Sequence, residues 1–292
     1  SQVKDLTPVH TDYDENQYME IVHQCKQKIL DGYVFQIVPS RMIYQKTSLP
    51  PFYIYEKLKQ VNPSPYMFFF NFGEDYLLGA SPELSVAVKN MDNKGTQKVE
   101  IRPIAGTKPR GKVLNPILAS DLDMRFECEL RTDPKELSEH MMLVDLARND
   151  IARISEPGTR KVDELLVIEK YSHVQHLVSN VSGVLRKGMD CLTAYLATMN
   201  HGTVTGAPKH EAMKILRQME RYSRGFYAGS VGYITPGGEM LTAIVIRSIR
   251  LKEGVAYLRA GAGIVYDSDP KSEFEETQKK LYANLKVLGE EV

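Results

Sequence analysis

Two short stretches of this chain repeat one pattern. Residues 133–140 read Asp-Pro-Lys-Glu-Leu-Ser-Glu-His, and residues 269–276 read Asp-Pro-Lys-Ser-Glu-Phe-Glu-Glu. In each, an aspartate able to cap free N–H groups precedes a proline, whose missing N–H is no loss in a first helical turn. Two carboxylates then follow three residues apart: Glu136 and Glu139, then Glu273 and Glu276. Side chains at i and i+3 share one helix face. Two such faces turned toward each other would form a cluster of hard oxygen ligands, suited to Mg²⁺ with water and substrate filling its remaining positions. The ordinary alternative is two solvated helix starts, where the helix dipole favours acids for stability alone.

Other segments could meet an anion. Gly261-Ala-Gly263 follows an apolar run and could present bare backbone N–H groups, although it lacks the spacing of a dinucleotide site. Gly206-Ala-Pro-Lys209 opens a helix just after Thr203 and Thr205, which reads as an anion site or as an ordinary capped start. The stretch from Ile104 to Gly111 combines flexible backbone with Lys108 and Arg110: a phosphate or carboxylate loop, or a basic surface turn. His176, isolated among the apolar neighbours of a strand, fits a hydrogen-bonded structural residue or a catalyst. Arg247 falls inside the apolar run Ala243-Ile-Val-Ile-Arg-Ser248. A guanidinium in such a strand is costly to bury unpaired. It needs a protein acid, or a ligand carboxylate gripped by its fork, and so hints at a substrate that carries carboxylates. The chain has no P-loop and no local signature of a Ser-His-Asp or Cys-His nucleophile.

The elements that must position these residues follow from periodicity and punctuation. Helices are expected over 18–30, 52–60, 118–131, 134–155, 191–198, 209–221 and 273–288. Strands are expected over 34–44 (with Pro39 at an edge or bulge), 66–72, 76–79, 84–89, 99–104 and 174–185, followed by a three-strand meander over 227–235, 240–251 and 255–262. Strands arrive in runs and not in strict alternation with helices, which predicts an α+β fold over a Rossmann-like one. With no long linker, repeat or low-complexity segment, residues 1–292 read as a single domain.

Composition narrows the function. Apolar residues make up 42% and charged residues 25%, as in a soluble globular protein. Lys plus Arg equals Asp plus Glu at 37 each, which argues against a nucleic-acid binder working by bulk charge. No apolar run approaches the roughly 18 residues of a membrane span, and no signal-peptide core opens the chain. Cys25, Cys128 and Cys191 stand far apart with no CxxC, so a reduced, cytoplasmic setting is expected and a thiolate metal site is not. The chain opens at Ser1, without Met, into a polar stretch.

Taken in order, the segments resemble the chorismate-utilising enzymes, and most closely their anthranilate synthase large-subunit branch. The resemblance runs from about Gly32 to Leu288. It is carried by Phe35-Gln-Ile-Val-Pro-Ser-Arg41, Asn62-Pro-Ser-Pro-Tyr-Met67, Gly79-Ala-Ser-Pro-Glu83, Pro103-Ile-Ala-Gly-Thr107, Lys135-Glu-Leu-Ser-Glu-His140 and Asp145-Leu-Ala-Arg-Asn-Asp150. It continues through His176-Leu-Val-Ser179, Gly202-Thr-Val-Thr-Gly-Ala-Pro-Lys209, Ile246-Arg-Ser248, Gly261-Ala-Gly263 and Ser272-Glu-Phe-Glu-Glu276.

The resemblance implies two packed antiparallel sheets flanked by outer helices, with Mg²⁺ as cofactor and chorismate as substrate. It implies that ammonia enters at C2 as the C4 hydroxyl leaves, giving aminodeoxyisochorismate, and that elimination of pyruvate then leaves anthranilate, the first step of tryptophan biosynthesis. Glu139 and Glu276 become metal ligands, with Glu136 and Glu273 beside them. Arg247 and Tyr227 would hold the enolpyruvyl carboxylate. Gly106, Thr107, Gly261, Ala262 and Gly263 would line the pocket, and Lys280 would lie near a substrate carboxylate. Glu83 becomes the general acid for the C4 hydroxyl, and His176 with Thr203 would serve pyruvate elimination.

Two positions separate the branches. Relatives that add water carry a lysine base where this chain has Gln36, and aminodeoxychorismate synthases carry a lysine nucleophile where it has Ala105. An amide cannot deprotonate water and a methyl cannot form a covalent adduct. Pro65, Tyr66 and Met67 resemble half of a tryptophan feedback pocket, whose other half belongs to an N-terminal portion of the family that this chain lacks; tryptophan is therefore expected not to inhibit usefully. The family's partner is a separate glutamine amidotransferase subunit that supplies ammonia. Two further readings stay open: a synthase that stops at aminodeoxyisochorismate, and a truncated module that binds without turnover.

Overall fold

The computed structural model describes residues 9–92, 95–111, 116–171 and 174–289. The Ser1 start lies outside them. In chain order the elements are β1 (His10–Thr11), α1 (Glu15–Leu30), β2 (Gln36–Ile37), β3 (Ser40–Lys46), α2 (Pro51–Val61), β4 (Tyr66–Asn71), β5 (Asp75–Ser81), β6 (Leu84–Asn90), β7 (Gln97–Ile101) and β8 (Ile104–Pro109). They continue with α3 (Pro116–Thr132), α4 (Pro134–Ala152), β9 (Lys161–Lys170), β10 (Val174–Val184), α5 (Cys191–Thr198), α6 (Gly202–Thr205), β11 (Gly206–Ala207) and α7 (Lys209–Met219). The last are β12 (Ser230–Ile234), β13 (Met240–Ile244), β14 (Ser248–Lys252), β15 (Val255–Gly261) and α8 (Pro270–Val287). Helices mix with antiparallel sheets, as the runs of strands predict. No helix among the described residues is long and apolar enough to cross a membrane.

Two compact units divide the chain. The first comprises Ser1–Pro82, Asn200–Ser230 and Ile244–Val292. Its sheet runs β1-β3-β15-β14-β5-β4, and a small ladder joins β2 to β11. One face of the sheet buries Ile43, Leu78, Ile249 and Leu258 against Ile54 and Leu58 of α2 and Leu281 of α8. A second core packs Tyr18, Val22 and Cys25 of α1 against Ile215 and Leu216 of α7 and Phe274 of α8. α1 starts in a reciprocal capping box, in which Asp14 accepts from the Gln17 N–H and the Gln17 side chain accepts from the Asp14 N–H.

The second unit comprises Glu83–Met199 and Val231–Ala243. Its sheet runs β12-β13-β6-β7-β10-β8, with β9 on the other side of β10. Val86, Val88, Val99 and Val181 pack against Val144, Ala147 and Ile151 of α4 and Ala194 of α5. Glu136 continues the face of that stripe one turn before His140, and Glu139 lies to its side.

Several expectations need correction. Residues 240–251 are not one strand and the meander does not exist: the chain breaks over Val245–Arg247, so β13 joins the second unit's sheet and β14 the first's. Arg247 therefore stands between strands, with a left-handed φ of +51°. Residues 104–109 form β8, paired to β10, and not a basic loop. The 34–44 strand is interrupted at Val38 and Pro39, so β2 pairs with β11 while β3 joins the large sheet. Strand β9 is missed by the pattern because it is an edge element without apolar alternation, its charges gathered at the two ends, and it is bulged near Leu166, whose φ is +56°.

Candidate active site

The two acidic motifs fold as helix starts. Asp133 caps α4 by accepting from the N–H groups of Lys135 and Glu136, and Pro134 occupies the first turn. Asp269 caps α8 by accepting from the Ser272 N–H, with Pro270 in the same place. Glu136 and Glu139 are partly exposed, as is Glu276, whereas Glu273 is buried. Among the described residues no group of three or more acidic, His or Cys side chains converges on a metal position. The donor chemistry suits Mg²⁺, since all four groups are hard carboxylates. Gly106 makes room for one of them. Its φ is +70°, and a Cβ there would lie 3.0 Å from Glu136 Oε2 and 2.8 Å from Leu130 Cδ2.

In the second unit, His176 on β10 stands opposite Thr107 on β8, where the register shifts. Its Nδ1 lies 3.0 Å from the Thr107 hydroxyl and 3.3 Å from the Gly106 carbonyl. A carbonyl can only accept, so both contacts are met when Nδ1 carries the proton, leaving Nε2 as the acceptor nitrogen. The Tyr171 ring flanks it, centroid to centroid at 5.7 Å. Directly after Glu139, His140 is fully buried with Nε2 2.7 Å from Ser179 Oγ, and burial lowers its pKa to about 4. Gly106, Thr107, His176 and Glu136 thus belong to one neighbourhood. Glu83 sits in the short link between β5 and β6 and is 7% exposed.

In the first unit, a cationic group gathers around Gly261. Lys280 donates to the Gly261 carbonyl at 2.9 Å and pairs with Glu276 at 2.5 Å, one helical turn back. Arg247 Nη1 donates to the Lys280 carbonyl at 3.1 Å. Among the described residues this is its one hydrogen bond, and it makes no ion pair, so most of its fork stays uncommitted. Burial lowers its pKa, opposed by the charge of Glu276, yet a guanidinium remains charged at any ordinary pH. Tyr227 is held in a turn, not on a strand, and its hydroxyl would lie 3.1 Å from a Cβ at Gly261, a position that only glycine leaves open. Burial raises the phenol's pKa, with Arg224 and Lys280 pulling the other way. The Tyr227 phenol is therefore neutral. Ala228, next to Tyr227, and Arg247 itself are left-handed, with φ of +67° and +51°. Such strain, about 1–3 kcal/mol per residue, collects at working sites.

The remaining candidates lie in the first unit, apart from Ala105. Gln36 on β2 is buried and opposes Ala207 on β11. Thr203 on α6 has a buried hydroxyl with no hydrogen-bond partner among the described residues. Ala262 and Gly263 follow β15 directly. Pro65 precedes β4, where Tyr66 begins the strand and Met67 packs on the core beneath α2. Ala105 lies in β8 of the second unit, opposite Leu177. Motif reading passes over Glu220 and Arg224, a buried pair beside Tyr227. Their i, i+4 spacing is the signal that could have found them.

The structure thus combines a mixed fold of antiparallel sheets with carboxylate pairs at two helix starts and cationic groups whose chemistry suits carboxylates. The chain matches the chorismate binding enzyme family over residues 1–286 and belongs to it. It is 50% identical over 280 residues to anthranilate synthase component 1 of Vibrio cholerae, an alignment covering 96% of this chain and 53% of that protein. The chain spans about half the length of the curated relatives it matches. The crystal structure of anthranilate synthase component I from Streptococcus pneumoniae superposes with a TM-score of 0.84 at 37% identity, covering 96% of this chain and 61% of that one. The menaquinone-specific isochorismate synthase of Escherichia coli shares the fold, with a TM-score of 0.85 at 23% identity over 99% of this chain and 66% of that one.

Proposed function

We propose that the chain, acting as a single catalytic domain over residues 1–292, converts chorismate and ammonia to anthranilate and pyruvate through aminodeoxyisochorismate. The observation that carries this reading is the group around Gly261, where Arg247 offers an uncommitted guanidinium fork beside a neutral Tyr227 phenol and the Lys280 ammonium. Planar bidentate recognition is what a guanidinium does best with a carboxylate. Arg247 and Tyr227 hold the enolpyruvyl carboxylate in this reading, and Lys280 stands by the other. The glycines at 106, 261 and 263, with Thr107 and Ala262, leave the substrate room.

Glu139 and Glu276, supported by Glu136 and Glu273, would hold Mg²⁺, which when bound supplies Lewis-acid polarisation of the ring carboxylate. Glu83 delivers the proton to the departing C4 hydroxyl. His176 Nε2, made the basic nitrogen by the Nδ1 contacts, takes up a proton during pyruvate elimination, with the Thr203 hydroxyl assisting. Gln36 and Ala105 favour ammonia over water and over a lysine adduct. A separate glutamine amidotransferase subunit would supply the ammonia, and without it the chain depends on free ammonium. Unpaired Cys25, Cys128 and Cys191 support a reducing cytoplasm.

The test is to incubate the pure chain with chorismate, Mg²⁺ and ammonium and to follow anthranilate fluorescence. A signal abolished by EDTA is expected. Chorismate consumed without fluorescence would replace the reading with a synthase that stops at the amine, and untouched chorismate would leave a binding module. Adding tryptophan to the same assay is expected to leave the rate unchanged.

A further inference from the structure

We propose that Arg224 is a positioning residue. Clamped by Glu220, it locks the segment carrying Gln36, the helix carrying Thr203 and the ring of Tyr227 into one arrangement. The inference rests on the proposed function, in which those three side chains serve the substrate. Arg224 Nη2 donates to the Val38 carbonyl at 2.7 Å, just after β2. Its Nη1 donates to the Val204 carbonyl at 2.6 Å, the residue after Thr203. Its guanidinium carbon lies 5.6 Å from the centroid of the Tyr227 ring. Between the two carbonyls runs the ladder in which Gln36 opposes Ala207.

Glu220 aims this fork. It takes Arg224 Nε on Oε2 at 2.9 Å and Nη2 on Oε1 at 2.7 Å. The same Oε1 accepts from the Ser40 N–H at 2.9 Å and the Ser40 hydroxyl at 2.8 Å, which ties down the far end of the Val38–Ser40 link. Arg259 closes the network, 3.5 Å from Glu220 and 3.7 Å from Asp12. The Arg224 and Glu220 side chains are 16% and 7% exposed. Replacing a desolvated pair of this kind with apolar groups is often neutral for stability, so stability does not explain its presence. What an apolar pair cannot do is hold two carbonyls and an aromatic ring through one rigid plane. A lysine could satisfy Glu220, but it presents a point charge without the fixed fork.

The experiment compares Arg224→Lys, Arg224→Met and the double change Arg224→Met with Glu220→Gln, the last leaving no buried unpaired charge if the single Met variant fails to fold. After thermal unfolding establishes which variants are native, chorismate and ammonium are varied separately, and hydrogen exchange is read over residues 36–40 and 202–207. The expected result for Arg224→Lys is a native fold, a chorismate KM raised about tenfold, kcat lowered about tenfold and an ammonium KM unchanged, because lost orientation acts on the substrate that must be oriented. The apolar variants should lose more. Exchange at both segments should rise about tenfold while β4 and β5 stay as they were. A Lys variant with wild-type constants and wild-type exchange would overturn the proposal, since any cation would then suffice. If the unaltered chain leaves chorismate untouched, the proposed function fails by that result, and the exchange comparison still decides whether Arg224 locks the two segments.

Discussion

In the proposed function, Arg247 is the residue on which substrate recognition turns. Removing its fork while keeping its bulk, as in Arg247→Met, should raise the chorismate KM about 30-fold, the equivalent of roughly 2 kcal/mol for a charge-assisted bidentate contact. Arg247→Lys should fall between. Steady-state kinetics at saturating ammonium checks both, and an unchanged KM would remove Arg247 from the carboxylate site. Gly106 makes the complementary case. An added methyl must share space with Glu136 Oε2 and Leu130 Cδ2 at a left-handed backbone position, so Gly106→Ala should destabilise by about 1–3 kcal/mol and weaken Mg²⁺ activation. Residue types drew attention to both positions. A guanidinium in an apolar run asks for a partner, and a glycine in a motif asks for a reason. The reason itself, the Glu136 carboxylate of α4 at 3.0 Å from the vacant Cβ position on β8, depends on long-range packing that local pattern does not carry.

At the scale of elements, the two acidic helices depend on their first turns. Asp269→Ala and Asp133→Ala should each destabilise by about 1 kcal/mol and loosen the turn that aims Glu273 or Glu136, raising the Mg²⁺ concentration needed for half activity. Asp190, which caps α5 by accepting from the Thr193 N–H at 2.7 Å, is the control. Asp190→Ala should show the stability loss in denaturant titration without the change in Mg²⁺ response. Caps and carboxylate spacing were legible because they involve residues two to four apart. The break at Val245–Arg247 was not. The run from Met240 to Leu251 has uniform strand character, and what divides it is the pairing of β13 with β6 and of β14 with β5, partners more than 150 residues away in sequence for each. Strand β9 escaped for the opposite reason: an edge strand needs little apolar alternation.

At the scale of the whole molecule, pH is the simplest probe. His201 is buried with Nε2 3.0 Å from Ser230 Oγ, and desolvation, aided by the charge of Lys209, lowers its pKa to about 3. A histidine whose folded pKa lies below its unfolded value near 6.5 contributes stability that is complete above 6.5 and is lost as pH falls toward 3. Between pH 7 and 5 the loss should be about 2 kcal/mol from this group alone. Denaturant titrations of the native chain and of His201→Gln at the two pH values check it. The variant should flatten the slope, and an unaltered slope would show that His201 does not govern it.

The acidic helix starts, the absence of a nucleotide loop, the α+β class and the cluster of segments that resemble chorismate enzymes were all legible in residue order, because capping, turn formation and local spacing act over a few neighbours. The left-handed Arg247 between two strands, the protonation pattern of His176 between Gly106 and Thr107, and the Glu220–Arg224 clamp were decided only by the folded chain. Each depends on groups that are distant in sequence, or on backbone geometry imposed by such groups, and burial makes those contacts strong by removing the water that would otherwise compete for them.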